Sequence, residues 1–279
     1  MVTLLSQNSR VSLGLLLLRG ACLLLALTFG LQKLVGLWML LHAGIPLSTT
    51  GLAPLIRYIG FPMPVVLAVA VTLLESVGAF LVTLGLLTRS ISACAAISMA
   101  GALYTSIRLN EEPLRALLYL LIFAVLAIAG PGQYSLSQFL SRQSNEARQP
   151  LHQGVHYSRA LFSPRPDLGL LLLRIGVALA ILWLLFLRHA GDFHLVSPGE
   201  LVAAAIVVGG TLLALLGWKT NLGAGLASMT WLWILFRDLH KGENWQGLPM
   251  RAALFAVAFC ALAVTGAGRF SFDLRSGTK

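Results

Sequence analysis

Long apolar runs separated by short polar stretches form the basic pattern of this chain. Eight runs stand out, at 13–40, 64–87, 90–108, 113–131, 168–187, 199–217, 222–236 and 249–267. A helix needs about 20 apolar residues to cross the ~30 Å hydrocarbon core of a bilayer, and most of the runs approach that length. None alternates apolar and polar residues as a membrane-spanning strand does. The pattern predicts an all-α, polytopic membrane protein with eight transmembrane helices.

The stretch 141–167, SRQSNEARQPLHQGVHYSRALFSPRPD, is the one long polar segment between the runs. It separates a first unit at 1–140 from a second unit at 168–279, with four runs in each. An even number of crossings returns the chain to the side where it started, so both units enter the membrane from the same side. We therefore expect two parallel, tandem four-helix bundles joined by a linker.

The two units repeat each other's sequence. Their last runs read PLRALLYLLIFAVLAIAGPGQYSL at 113–136 and PMRAALFAVAFCALAVTGAGRFSF at 249–272, which align without a gap. Their first runs carry LLLLRG with Arg19 and LLLLRI with Arg174, and the second runs end in TLGLLTR and LLGWKTN. We interpret the second unit as a degenerate copy of the first that lacks most of the segment 42–63.

Composition and charge narrow the class of protein. The chain is 57% hydrophobic and only 11% charged, whereas soluble domains carry about 25% charged residues. Its net charge of +10 is spread over the ends of the runs, which favours contact with anionic lipid over nucleic-acid binding. Basic residues are slightly more numerous on the side of the termini. The positive-inside rule therefore predicts an inner-membrane protein with both termini in the cytoplasm.

An acidic residue lies deep in the second run. Glu75 is near its middle, where a charge costs about 2.5–3.5 kcal/mol, so we expect it to face the bundle and a cation. Arg19 and Lys33 are 14 residues apart, close to four helical turns, and therefore share one face of the first helix. We predict that Glu75 pairs with Arg19 or Lys33, with Arg108 as a further candidate. The second unit has Val207 at the matching position.

Two interpretations of this charged group remain open. The pair either fixes helix register alone, or forms a proton-accepting or headgroup-binding site for a quinone, whose reduction consumes two protons. For Arg19 and Arg174 the structural interpretation is favoured, because both lie near the membrane boundary and can snorkel to it.

Other redox chemistry finds little support in the sequence. No histidine lies within an apolar run, and Cys22, Cys94 and Cys260 are isolated in three different runs. There is no C-x-x-C pair and no dinucleotide-binding fingerprint. We expect no intrinsic haem, flavin or metal, so a redox cofactor is either the quinone itself or comes from a partner.

The segment 42–63 occurs only in the first unit. Its prolines and glycines exclude one long helix, although LAPLIRYIGF has the character of an amphipathic helix at the outer interface. Three roles stay open for it: a capping loop, a lid, or a docking surface for a periplasmic partner.

Six motifs carry a family resemblance. They are, in chain order, Leu17-Leu18-Arg19, Gly30 with Lys33, Gly60 with Pro62, Glu75, Leu84-Gly85-Leu86 with Thr88-Arg89, and Tyr119 with Gly130-Pro131-Gly132 and Tyr134-Ser135. Their order and spacing resemble the DoxX family of four-helix membrane proteins, which includes subunits of archaeal thiosulfate:quinone oxidoreductase. The resemblance implies a membrane subunit that works with a quinone and with other membrane or periplasmic subunits.

The sequence thus predicts a membrane subunit of a quinone-linked oxidoreductase, with thiosulfate as the donor that the resemblance suggests. Glu75 and Lys33 are the candidate catalytic residues, and Arg19, Arg108 and Tyr119 the candidate cofactor-binding residues. The alternative is a non-catalytic accessory subunit that packs against a larger respiratory or photosynthetic complex. A transporter is less favoured, because broken half-helices at corresponding positions are missing.

Overall fold

The computed structural model describes residues 7–140, 165–189 and 198–266. The predicted linker at 141–167 lies almost entirely outside these ranges. Eight main helices follow one another: α1 (Gln7–Leu25, a π-helical turn Ala26–Gly30, and Leu31–His42), α2 (Pro64–Leu84, with a π-helical turn Leu74–Gly78), α3 (Thr88–Arg108), α4 (Leu114–Ala129), α5 (Pro166–His189), α6 (Pro198–Leu216), α7 (Thr220–His240) and α8 (Leu248–Thr265). The described part of the chain is all-helical, as predicted.

Each of the eight predicted runs overlaps one of these helices over most of its length. Six of the helices are long and apolar enough to cross a membrane. The other two are α4, which is apolar but has 16 residues, and α7, which has 21 residues but begins and ends with polar side chains. The chain is a multi-pass membrane protein, and length and composition qualify six of its helices as spans rather than the expected eight.

The outward surface of the helices is suited to lipid. Large apolar side chains point away from the protein along most helices; Ile97 and Met229, for example, are 74% and 70% exposed. In water such a surface would be unfavourable, whereas in a bilayer it meets acyl chains. The membrane-embedded helices therefore contact lipid directly.

The helices alternate in direction, which gives the molecule two ends. We call the end where α1 finishes and α2 begins the distal end, and the end that holds the start of α1 the proximal end. A short helix, Ala53–Ile59, lies at the distal end within the segment 42–63. Its Ala53 and Ile56 are buried while Tyr58 is 79% exposed, which confirms the predicted amphipathic helix.

In each unit the first helix packs mainly against the fourth helix of the other unit, which two separate bundles would not do. Along its proximal half, α1 packs against α8, and α5 packs against α4, each more extensively than against the fourth helix of its own unit. A Cβ atom at Gly14 would lie 3.1 Å from the Ala261 carbonyl oxygen, and one at Gly169 would lie 3.4 Å from the Val125 carbonyl oxygen. Small residues thus let these backbones approach closely. The two predicted bundles interlock through α4 and α8 instead of standing side by side.

The turns that close the second run of each unit have matching backbones. Gly85 and Leu87 have φ angles of 79° and 47°, and Gly217 and Lys219 have 70° and 46°. A left-handed conformation is uncommon for leucine or lysine, so its occurrence at the same place in both turns is informative. The two turns thus share a backbone conformation, and the relation between the units stays a prediction from the sequence.

Candidate functional site

A buried carboxylate and an ammonium group meet between α1 and α2. Glu75 is 6% exposed, and its Oε2 atom lies 2.5 Å from the Nζ atom of Lys33. Of the partners that the sequence allowed for Glu75, Lys33 is the one that contacts it. The Lys33 side chain is 33% exposed, so the pair is closed on the Glu75 side and accessible on the Lys33 side.

Two π-helical turns bring these side chains together. Ala26–Gly30 in α1 packs on Leu74–Gly78 in α2, and a Cβ atom at Gly30 would lie 2.2 Å from the Glu75 carbonyl oxygen. Only glycine permits that approach of the two backbones. π-helical turns within α-helices occur frequently at functional sites.

Lys33 also borders a narrow cleft below the segment 42–63. The cleft has a volume of about 150 Å³, and Thr72 and Leu52 line it together with Lys33. Pockets for whole small-molecule ligands measure roughly 300–1,000 Å³, so this cleft is small and admits water or a small group. The segment 42–63 covers the cleft, which is consistent with either a cap or a lid.

Tyr119 lies in the core, on α4. It is 2% exposed, and its ring centroid lies 6.5 Å from that of Phe123. Its hydroxyl donates to the Met250 Sδ atom at 3.6 Å, a weak acceptor. These contacts of Tyr119 are within α4 and with α8, and its role in binding a cofactor stays a prediction.

Arg19 serves a different part of the molecule. It is 1% exposed, and its Nη2 atom donates a 2.5 Å hydrogen bond to the Tyr134 carbonyl oxygen near the proximal end. A Cβ atom at Gly85 would lie 2.3 Å from its Nη1 atom, so the glycine makes room for the guanidinium. Lys33 is about 21 Å further along the helix. The structure does not bring Arg19 to Glu75; Arg19 instead ties α1 to the chain after α2 and after α4.

Arg108 is also apart from Glu75. It is the last residue of α3 and is exposed, and its guanidinium carbon lies 5.9 Å from the centroid of the Tyr104 ring. This is a cation–π contact at the distal end of the same helix. The prediction that Arg108 joins the Glu75 pair is wrong, because the Arg108 side chain stays on its own helix.

A second charged group lies at the distal end of the second unit. Arg237 contacts Glu200 at 3.3 Å and Asp238 at 2.9 Å, and Arg251 pairs with Glu112. Asp238 is 3% exposed although it comes near the end of α7. In the sequence these residues lie at the ends of apolar runs, and nothing in their spacing predicts that they group together.

These ion pairs border a cavity of about 670 Å³ in the distal half of the molecule. The cavity lies between α5, α6, α7 and α8 and reaches the start of α4. Its volume falls within the range of small-molecule pockets. Its aromatic lining consists of Trp183, Trp231, Trp233 and Phe255.

Residues 14–107 match the family model DoxX. The matched range contains Lys33 and Glu75 as well as the segment 42–63, and it ends one residue before the end of α3. No curated protein and no solved structure is detectably similar to the chain.

Proposed function

We propose that this protein, whose first unit contains a DoxX domain, is a membrane subunit of a quinone-linked oxidoreductase. The observation that carries the proposal is the Lys33–Glu75 pair, held within the membrane-spanning helices at the edge of a cleft. In the proposed reaction a partner delivers electrons, and the first unit supplies the protons that quinone reduction consumes.

The geometry of the pair suits proton exchange. Glu75 and Lys33 share a hydrogen bond, and only Lys33 is substantially exposed. Lys33 can pass a proton of its ammonium group to the buried carboxylate and then take up another proton from the cleft. A buried carboxylate that accepts a hydrogen bond from an ammonium group is placed for general acid–base catalysis.

Partners and orientation belong to the same proposal. The family resemblance suggests a periplasmic sulfur-compound oxidoreductase as the electron source, with thiosulfate as its substrate. Cytoplasmic termini in an inner membrane would place the distal end, with the segment 42–63, on the periplasmic side. A donor that docks there would lie directly above the cleft.

The accessory-subunit alternative has one specific observation in its favour. The close contact between Gly30 and the Glu75 backbone makes the ion pair part of the α1–α2 packing. If the pair has no other role, replacing it will alter stability and leave quinone-linked turnover unchanged.

The test measures turnover of the complex that co-purifies with this chain, with a short-chain ubiquinone as acceptor and thiosulfate as donor. We expect Glu75→Gln to lower turnover by about a hundredfold or more, the range of general acid–base catalysis. Glu243→Gln removes an exposed carboxylate from the α7–α8 connection and is the matched control. Turnover in Glu75→Gln equal to that of Glu243→Gln would favour the accessory role.

A further inference from the structure

The cavity of the second unit lies where the alignment of the two units has the ion pair of the first. The sequence repeats place Leu185 opposite Gly30 and Val207 opposite Glu75. Both Leu185 and Val207 line the cavity. At these positions the second unit has neither the glycine that permits close contact between the first two helices nor the acid. The space between α5 and α6 stays open.

This cavity opens sideways, toward the lipid. Trp183 of α5 and Trp233 of α7 line it and are 43% and 50% exposed, so the cavity is not sealed from the surroundings of the helices. Helix α5 also packs less extensively on α6 than on α4. Because acyl chains surround the membrane-spanning part of a helix, lipids are the molecules that meet this opening.

The lining is divided into an apolar interior and a charged rim. Val208 comes eight residues after Glu200 on α6, which places it about 12 Å further from the distal end. Trp231 comes seven residues before Asp238 on α7 and lies about 10 Å further from that end. An amphiphile fits this division when its chain lies in the interior and its headgroup lies at the rim.

Three charged side chains of the rim are accessible to a headgroup. Those of Glu112, Glu200 and Arg237 are 57%, 33% and 27% exposed. Among the described residues, Arg237 donates to Asp238 and Glu200 with three of its five N–H groups, which leaves two for a further acceptor. A carboxylate has about four acceptor positions, so Glu112 and Glu200 can each accept from a ligand as well as from arginine.

The charges of the rim favour a headgroup that carries an ammonium group. Together with Arg251, the partner of Glu112, the lining holds two guanidinium groups and three carboxylates, a formal balance of −1. This surplus attracts a cation and repels a headgroup with a net negative charge. A primary ammonium group has three N–H donors for the carboxylates, whereas a trimethylammonium group has none. The phosphate of a zwitterionic headgroup suits the guanidinium of Arg237.

We propose that this cavity binds a zwitterionic phospholipid with a primary ammonium headgroup, the class of phosphatidylethanolamine. Its acyl chain enters between α5 and α6 and lies along Val208 and Trp231. Its ammonium group donates to Glu112 and Glu200, and its phosphate accepts from Arg237. A transmembrane helix of a partner protein would fill the opening with apolar side chains and give the exposed charges no new partners. The inference concerns the second unit alone and is independent of the proposed function.

Lipid competition on the unaltered full chain tests the inference. The chain in detergent is titrated with phosphatidylethanolamine, its N-methylated forms, phosphatidylcholine and phosphatidylglycerol, all with the same acyl chains, and native mass spectrometry counts the bound lipid. We expect phosphatidylethanolamine to bind about tenfold or more tightly than phosphatidylcholine, with the N-methylated forms between them. Equal affinity for these two lipids, or tighter binding of phosphatidylglycerol, would overturn the inference.

Two variants test which side chains recognise the headgroup. Glu112→Gln and Glu200→Gln each remove one carboxylate of the rim, and we expect each to reduce the preference for phosphatidylethanolamine over phosphatidylcholine about threefold or more. Binding of phosphatidylcholine should change little, which shows that each variant is folded. Glu243→Gln removes an exposed carboxylate at the same end, outside the lining, and should keep the full preference. An unchanged preference in both rim variants would contradict the inference.

A phosphatidylethanolamine with a photoreactive group in its acyl chain maps the interior without any variant. We expect label on peptides that contain Val208 or Trp231, and excess unlabelled phosphatidylethanolamine should displace it. Label confined to other helices would overturn the inference. If a membrane protein that co-purifies with the chain blocks this labelling, the cavity belongs to a protein interface and the inference is wrong.

Discussion

The two units use the same position between their first and second helices in different ways. In the first unit Gly30 and Glu75 let the helices touch, and Lys33 closes the contact with an ion pair. In the second unit Leu185 and Val207 line an open cavity at the matching place. A large side chain in place of glycine holds helices apart, and an apolar side chain in place of an acid removes the need for a cation. In the alignment of the two units, these two exchanges coincide with the change from a packing contact to a pocket.

We expect the largest effect on stability when the first unit receives, at Gly30, the larger residue that the second unit has at the matching position. Gly30→Leu would drive a side chain into the Glu75 backbone, so we expect a loss of stability of about 3 kcal/mol or more. Thermal unfolding in detergent measures it. Gly20→Leu, on the same helix with open space where its Cβ atom would lie, is the matched control. Equal melting temperatures for the two variants would contradict the close contact.

Removing one member of the ion pair should have the next largest effect. Lys33→Met leaves Glu75 buried without a cation, which costs about 3 kcal/mol, at the low end for such pairs because Lys33 is partly exposed. Adding Glu75→Val, the residue type found in the second unit, should recover most of the loss. We expect the double variant to melt well above Lys33→Met alone. A double variant that melts at or below the single one would show that the pair contributes nothing specific.

Arg19 allows a test of whether stability and ligand binding separate. Arg19→Gln removes the charged hydrogen bond to Tyr134, which is worth about 1.5–3 kcal/mol. Because Arg19 lies away from both candidate sites, quinone affinity should not change. Melting temperature and quinone binding are measured on the same preparation. A large loss of affinity without a loss of stability would return Arg19 to the list of ligand-binding candidates.

The smallest expected effect is at Arg108. Its cation–π contact with Tyr104 is exposed, so Arg108→Gln should lower stability by less than about 1 kcal/mol. Quinone-linked turnover should equal that of the unaltered chain. A strong decrease in turnover would mean that Arg108 acts with Glu75 after all.

The sequence was sufficient for the helices and for part of the site. Apolar runs determine where helices lie in a membrane, and a single acid in such a run has few partners, so Glu75 and Lys33 were identifiable. The packing of α1 against α8 could not be predicted, because all the runs are similarly apolar. Which helix becomes the neighbour depends on local contacts such as that of Gly14 with α8. Arg19 shares a face with Lys33, but its distance along the helix keeps it from Glu75.

The cavity could not be predicted from the sequence for a different reason. Its charges lie near helix ends, where charged residues are common and ordinarily face water or lipid headgroups. Aligning the two units gives one indication of the cavity, because Leu185 stands in place of Gly30 and Val207 in place of Glu75. That signal predicts looser packing at the site, although it does not reveal which side chains line the opening.

The most direct test of the account is one set of kinetic measurements on the intact complex, with quinone concentration varied for Glu75→Gln and for the control Glu243→Gln. We predict that Glu75→Gln lowers kcat by about a hundredfold or more and that Glu243→Gln changes neither kcat nor KM. If Glu75→Gln keeps the kcat of Glu243→Gln, the assignment of proton handling to the first unit is wrong.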